Sequence, residues 1–169
     1  AVARLGARQP AHADFLSNVG HLGFESPQAN PIAVSPNGNR IYVCNTANDT
    51  LSIIDASRRT LTAEVPVGLQ PVSVAVRPDG AVVYVANHLS DSISVVDPFR
   101  GVIIATIQEV APAGDPNNPP PDKGITHFSE PGQVVFSPDG TRAYVALSEM
   151  NQVAVIDAQA HAIISRIDL

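Results

Sequence analysis

Apolar and polar positions along this chain fall into short runs that recur at a regular spacing. PVSVAVR (71–77), AVVYVA (81–86), SISVV (92–96) and VIIATI (102–107) are β-branched segments bounded by Pro, Gly, Asn or Asp. Turn residues at this interval predict strands, and helical spacing fits no window of comparable length. The runs are continuous rather than alternating. A half-buried strand reads apolar-polar-apolar, whereas VVYVA (82–86) has no polar face to offer water, so both of its faces are expected to be covered.

The four-run unit repeats. Pro36-Asn37-Gly38, Pro78-Asp79-Gly80 and Pro138-Asp139-Gly140 each lead into a tyrosine: Tyr42, Tyr84 and Tyr144. Each tyrosine is followed thirteen residues later by Asp55, Asp97 or Asp157. The offsets between copies are 42 and 60 residues, the second being one period plus an 18-residue insertion. A period near forty with four strands per unit predicts the blades of a β-propeller. The fold class expected is all-β: three four-stranded antiparallel blades of an incomplete ring of seven, with hairpin turns at 36–38, 78–80 and 138–140.

The domain boundaries follow from the same register. Residues 1–28 form an N-terminal segment in which Val19–Glu25 reads as an outer-edge strand or as a loose tail. Blades are expected at 29–70, 71–110 and 131–169. A Pro-rich insertion occupies 111–130, with a proline content that disfavours regular structure. Three blades leave two terminal faces of the Val/Ile/Tyr/Ala mixture that interior blades bury. The expectation is therefore an open arc that associates with further blades of the same or another chain.

Composition narrows the class. With 44% hydrophobic residues among 169, the chain can build a core. Its 10 Lys and Arg against 16 Asp and Glu leave a net charge of −6, with Arg58-Arg59 the sole adjacent basic pair. Nucleic acid and anionic membrane surfaces want clustered positive charge, so neither is an expected partner. The apolar runs are too short for a membrane span. Cys44 is the single cysteine, which excludes an internal disulfide and any two-cysteine zinc or haem-attachment motif. Ala11-His12-Ala13 looks like a small-residue cleavage site, but no apolar core of a signal peptide precedes it.

The strings YVCN (42–45) with DTLSIID (49–55), and YVAN (84–87) with DSISVVD (91–97), resemble the YVTN-type β-propeller repeat. That resemblance covers 29–169 and implies a secreted or surface-layer, extracytoplasmic protein with a fold similar to lactonase-type and nitrous-oxide-reductase-type propellers. The third copy departs from the pattern, with Leu147 in place of the asparagine and Asn151-Gln152 in place of Asp-Thr or Asp-Ser.

Blade geometry sorts the candidate chemistry. The loop between second and third strands and the link to the next blade emerge on one rim, and the two hairpin turns on the other. Asn45, Asp49, Asn87, His88, Asp91, His127 and Glu149 therefore share the rim where a ligand is expected, with Asp115 and Asp122 nearby. His88 and His127 with a carboxylate suit a divalent metal in kind. No pair has the tight spacing of a metal motif, and the competing reading makes His88 a solvated loop residue and packs His127 beside Phe128. The repeated Asp55, Asp97 and Asp157 suit calcium less well than Asx-turns, which every blade needs. Asn45 and Asn87 similarly suit backbone groups at strand ends. Cys44 falls at the position of Ala86 and Ala146 and reads as a small buried apolar residue. His12, His21 and His161 carry no functional weight. No nucleophile elbow or phosphate-binding glycine loop is present.

Two functions follow. The first is a non-catalytic binding or scaffold propeller with a protein or carbohydrate partner and no cofactor. The second is the propeller portion of a metal- or haem-dependent enzyme, lactonase-like or electron-transferring, with active residues partly elsewhere.

Overall fold

The computed structural model describes residues 29–109 and 128–169. Twelve strands form three separate four-stranded sheets, each an antiparallel meander in chain order. Blade 1 comprises β1 (Ile32–Val34), β2 (Arg40–Asn45), β3 (Thr50–Asp55) and β4 (Thr60–Pro66). Blade 2 comprises β5 (Pro71–Val76), β6 (Val83–Asn87), β7 (Ser92–Asp97) and β8 (Val102–Ile107). Blade 3 comprises β9 (Pro131–Phe136), β10 (Arg142–Leu147), β11 (Gln152–Asp157) and β12 (Ala162–Asp168). The described residues contain no helix. The all-β propeller architecture expected from the repeat is the one observed.

The repeat holds at the level of single backbone angles. Left-handed φ recurs at Gly38, Gly80 and Gly140, at Asp49, Asp91 and Asn151, and at Arg59, Gly101 and His161. A β-bulge recurs between Ile53 and Ile54, Val95 and Val96, and Val155 and Ile156. Tyr42, Tyr84 and Tyr144 pair with Ile53, Val95 and Val155, so they sit at one register position. The Pro-Asn/Asp-Gly turns close as expected: Gly38, Gly80 and Gly140 N–H donate to the carbonyls of Ser35, Arg77 and Ser137 at 2.7–2.9 Å. Asn37, Asp79 and Asp139 reinforce them by accepting from the N–H two residues on.

Blades stack face to face. The N–H groups of Ala29 and Asn30 donate to Val72 O, and Val74 N–H donates to Asn30 O, which runs the innermost segment of blade 1 parallel to β5. Two cores lie between the sheets. Tyr42, Cys44, Leu51, Ile53 and Val65 of blade 1 meet Val74, Val83, Val85 and Val96 of blade 2. Tyr84, Ala86, Ile93, Val95 and Ile107 on the opposite face of blade 2 meet Val134, Ala143, Val145 and Ile156 of blade 3. Every residue of β6 is buried, as is Ser92–Val96 of β7. The corresponding strands of blades 1 and 3 mix buried with partly or fully exposed positions. The continuous apolar runs thus mean burial on both faces in the middle blade and on one face in its neighbours.

One detail differs from the sequence reading. The second strand of blade 2 runs Val83–Asn87 rather than 81–86, because Asn87 still pairs with Ser92 on one side and Pro71 on the other. The segment Val19–Glu25 and nearly all of the 111–130 insertion lie outside the described residues.

Candidate functional site: the loop rim

The loop between second and third strands of each blade meets the links that join the blades. Asp49 Oδ1 accepts from Gln70 N–H at 2.7 Å, and Asp91 Oδ1 accepts from Glu130 N–H at 2.9 Å. These are repeat-equivalent staples, each tying a blade to the linker entering the next. Gln70 and Glu130 both have left-handed φ and both precede a proline that opens an inner strand. The carboxylates hold their linkers in that bent conformation through a charged hydrogen bond. Further contacts knit the same rim. His88 N–H donates to Gln70 O at 3.0 Å, Leu69 N–H to Ser90 Oγ at 3.0 Å, and Thr46 Oγ1 to Pro71 O at 2.8 Å.

The structure brings Asp49, His88 and Asp91 together on one rim through these linkers, as the blade geometry predicts. Glu149 is exposed in the corresponding loop of blade 3, beside Ser148, whose N–H donates to Glu130 O. His127, Asp115 and Asp122 lie outside the described residues. His88 is not the solvated loop residue of the simpler sequence reading. It is buried, with Nε2 3.9 Å from the Glu130 carboxylate and its backbone N–H bonded to Gln70 O. In the sequence Glu130 is marked only by its place before Pro131, the repeat position of Gln70 before Pro71. Among the described residues, no group of three or more His, Cys, Asp or Glu is placed to hold a metal ion.

The side-chain amides of Asn45 and Asn87 donate to hydroxyls rather than to the backbone groups expected. Asn45 Nδ2 donates to Thr50 Oγ1 and Ser52 Oγ at 2.9 and 2.8 Å, and Asn87 Nδ2 donates to Ser92 Oγ and Ser94 Oγ at 3.2 and 2.9 Å. These amides lie along the sheet face against hydroxyls of the next strand, and Asn87 is fully buried. Blade 3 replaces the whole set: Leu147 stands for the asparagine and Ala154 for the second serine, and both enter the core against blade 2.

The repeated aspartates make Asx-turns. Asp55 Oδ1 accepts from Ser57 and Arg58 N–H, Asp97 Oδ1 from Phe99 and Arg100, and Asp157 Oδ1 from Gln159 and Ala160, at 2.8–3.0 Å. The donated hydrogen bonds hold the Asp55 and Asp157 carboxyls below the usual carboxylate range. Cys44 is buried, and burial pushes its thiol up to about 12, which fits a packing residue and not a nucleophile.

Recesses open on the opposite, hairpin-turn rim. One of about 290 Å³ between blades 1 and 2 is lined by Ser35, Asn37, Arg40, Asp79 and Phe99. Another of about 280 Å³ between blades 2 and 3 is lined by Arg77, Asp79, Asp139, Asp157 and Gln159. An arginine crosses each junction. Arg40 Nη1 donates to Pro98 O at 2.8 Å with its guanidinium 4.4 Å above the Phe99 ring, and Arg77 Nη1 donates to Ala158 O at 3.2 Å. Pro98 and Ala158 are repeat equivalents, reached from different strand positions. His161, given no role by sequence, joins the second junction. Its Nδ1 lies 2.7 Å from the buried Tyr84 hydroxyl, and burial, with the nearby Arg77 charge, lowers its pKa.

Comparison with known proteins places this geometry. A chain of Kuenenia stuttgartiensis hydrazine synthase is similar, with a TM-score of 0.70 and 32% sequence identity over 90% of this chain. The present chain spans 39% of the length of that one. No curated protein matches the sequence. The model of the YNCE-like β-propeller family matches residues 1–164. With three blades in repeat register and that match spanning nearly all of its length, the chain belongs to the YNCE-like β-propeller family.

Proposed function

We propose that this chain is a binding and scaffold propeller, extracytoplasmic in location, whose loop rim carries the partner-facing surface. One observation carries the reading: the polar side chains recurring at the rim are engaged by the fold itself. Asp49 and Asp91 hold linkers, and Asn45 and Asn87 hold neighbouring strands. Residues that stay exposed there, Leu89 and Glu149 among them, differ from blade to blade, as a surface shaped for one partner would. The resemblance to YVTN-type repeats supports the extracytoplasmic location. The partner class proposed is a protein or carbohydrate, without a cofactor.

Photo-crosslinking in the native cell tests the reading. A crosslinker at residue 89 or 149 is expected to trap the same partner, while one at exposed residue 99 on the opposite rim traps none. Adducts confined to residue 99 would overturn the assignment of the rim. Recovery of the protein in the cytoplasmic fraction would overturn the location.

The similarity to a hydrazine synthase chain favours a second reading, in which the propeller is one part of an enzyme. Here the rim orients a catalytic partner rather than performing chemistry. Its test is whether the trapped partner carries a redox centre.

A further inference from the structure

The two recesses on the hairpin-turn rim occupy the same place in successive repeats and are nearly equal in size, yet their charges differ. Between blades 2 and 3 the cation is compensated. Arg77 donates from Nε to Asp79 Oδ1 at 2.9 Å and pairs through Nη2 with Oδ2 at 2.8 Å, and Asp139 and Asp157 add two more carboxylates to the lining. Between blades 1 and 2, Ser35 stands at the position of Arg77 and Asn37 at that of Asp79. The cation there is Arg40, where blade 2 has Val82. Arg40 is half-buried, and its hydrogen-bond partners, the Pro98 carbonyl and the Tyr42 hydroxyl, are uncharged. Asp55, which faces it across the β2–β3 pairing, is held by Arg58 at 2.8 Å, and Asp79 by Arg77. Among the described residues, no carboxylate lies within ion-pair distance of Arg40.

Asn37 and Phe99 complete the contrast. Asn37 Oδ1 accepts from Asn39 N–H at 3.1 Å, the bond that Asp79 and Asp139 make in the other two turns. The turn thus accepts either residue, and the amide leaves the lining without a carboxylate at this position. Phe99, at the place held by Gln159 in the other recess, is 70% exposed and carries the Arg40 guanidinium 4.4 Å above its ring. We propose that this recess binds a small aryl carboxylate. The carboxylate pairs with the guanidinium through the N–H donors that Pro98 and Tyr42 leave over, with the Asn37 amide beside it. The flat apolar body lies against the exposed part of the Phe99 ring. At about 290 Å³ the recess is at the small end of ligand sites, which suits one such molecule. The site takes a small molecule and is independent of the partner-facing loop rim.

Heteronuclear NMR titration of the full chain with benzoate tests this. Saturable shifts are expected at Asn37, Arg40 and Phe99, with a Kd of about 1–10 mM for so open a site. Benzyl alcohol, which has the ring without the charge, should bind at least about tenfold more weakly, and acetate, which has the charge without the ring, should also bind more weakly than benzoate. Asn37→Asp restores the turn residue of the other two repeats, so it should fold as wild type, while its carboxylate competes for Arg40 and weakens benzoate about tenfold. Phe99→Ala, at an exposed position, should weaken benzoate and leave acetate unchanged, and it carries the test alone if Asn37→Asp loses the wild-type spectrum. Absence of saturable shifts, or shifts centred on the Arg77 recess, would overturn the proposal. Benzyl alcohol or acetate binding as well as benzoate, or a folded Asn37→Asp or Phe99→Ala variant binding benzoate like wild type, would overturn it equally.

Discussion

Gly68 shows how tightly the loop rim is packed. A Cβ at this linker position would lie 2.3 Å from Ser90 Oγ and 2.6 Å from Asn87 Nδ2, contacts that no real side chain tolerates. Gly68→Ala should therefore destabilise the fold by about 1–3 kcal/mol, and Ser90→Gly should restore part of that loss. Paired denaturant melts of the single and double variants measure both. The Asn87 cluster makes a second test. Its Nδ2 serves two serines, while its Oδ1 is buried without a hydrogen-bond partner among the described residues. Asn87→Leu alone leaves buried hydroxyls without their donor, at a cost of about 1–3 kcal/mol. Joined with Ser94→Ala it reproduces the Leu147–Ala154 pair of blade 3. The double variant should then lose less than the sum of the singles, with a coupling of roughly 0.5 kcal/mol or more. An additive result would mean that the two positions do not act as a unit.

At the scale of the element, the blade is a unit whose turns are set locally and whose junctions are not. Arg40 and Arg77 reach equivalent carbonyls of the following blade from opposite ends of different strands, so no single repeat position encodes the clasp. The Tyr84–His161 contact spans the junction of blades 2 and 3 and gives it a pH dependence. The folded-state pKa of His161 lies below its ordinary value near 6.5, chiefly through burial. Its contribution is thus fully present above about 6.5 and is lost as pH falls through the lowered folded value, because the unfolded chain takes up the proton first. Melting temperature should decline between pH 7.5 and 5.5, and His161→Gln should flatten that slope. The depressed carboxyls of Asp55, Asp79, Asp139 and Asp157 act in a separate, more acidic window. Their stabilisation is present above about 4 and disappears below it, which a second acid-side decline would display.

Across the whole molecule, stability should be highest in the middle. Among the described residues, blade 2 is covered on both faces and blades 1 and 3 on one each, so its strands open only when the stack comes apart. Hydrogen exchange is expected to be slowest at Val83–Asn87 and Ser92–Val96, and faster in β1, β4 and β12. Uniform protection across the three blades would mean that the outer faces are covered in solution.

How much of this was legible beforehand follows from where each constraint resides. Short-range chemistry could be read directly: the Pro-Asn/Asp-Gly turns, the Asx-turns at Asp55, Asp97 and Asp157, and the strand runs all depend on neighbours within a few residues. Their repetition was enough for the blade and for the rim on which Asp49, His88 and Asp91 meet. What those side chains do there was not legible. Asp49 lies 21 residues from Gln70 and Asp91 39 from Glu130. Only the stacking of blades brings each pair within hydrogen-bond reach and makes the carboxylates staples. Burial of His88, the part taken by His161 and the arginine clasps arise in the same way, from contacts between blades. By itself the sequence determined the repeating unit, because that unit is held by local turns and adjacent strand pairing. Tertiary structure alone decided which polar groups are spent on the fold, because that depends on what the neighbouring blade places opposite them.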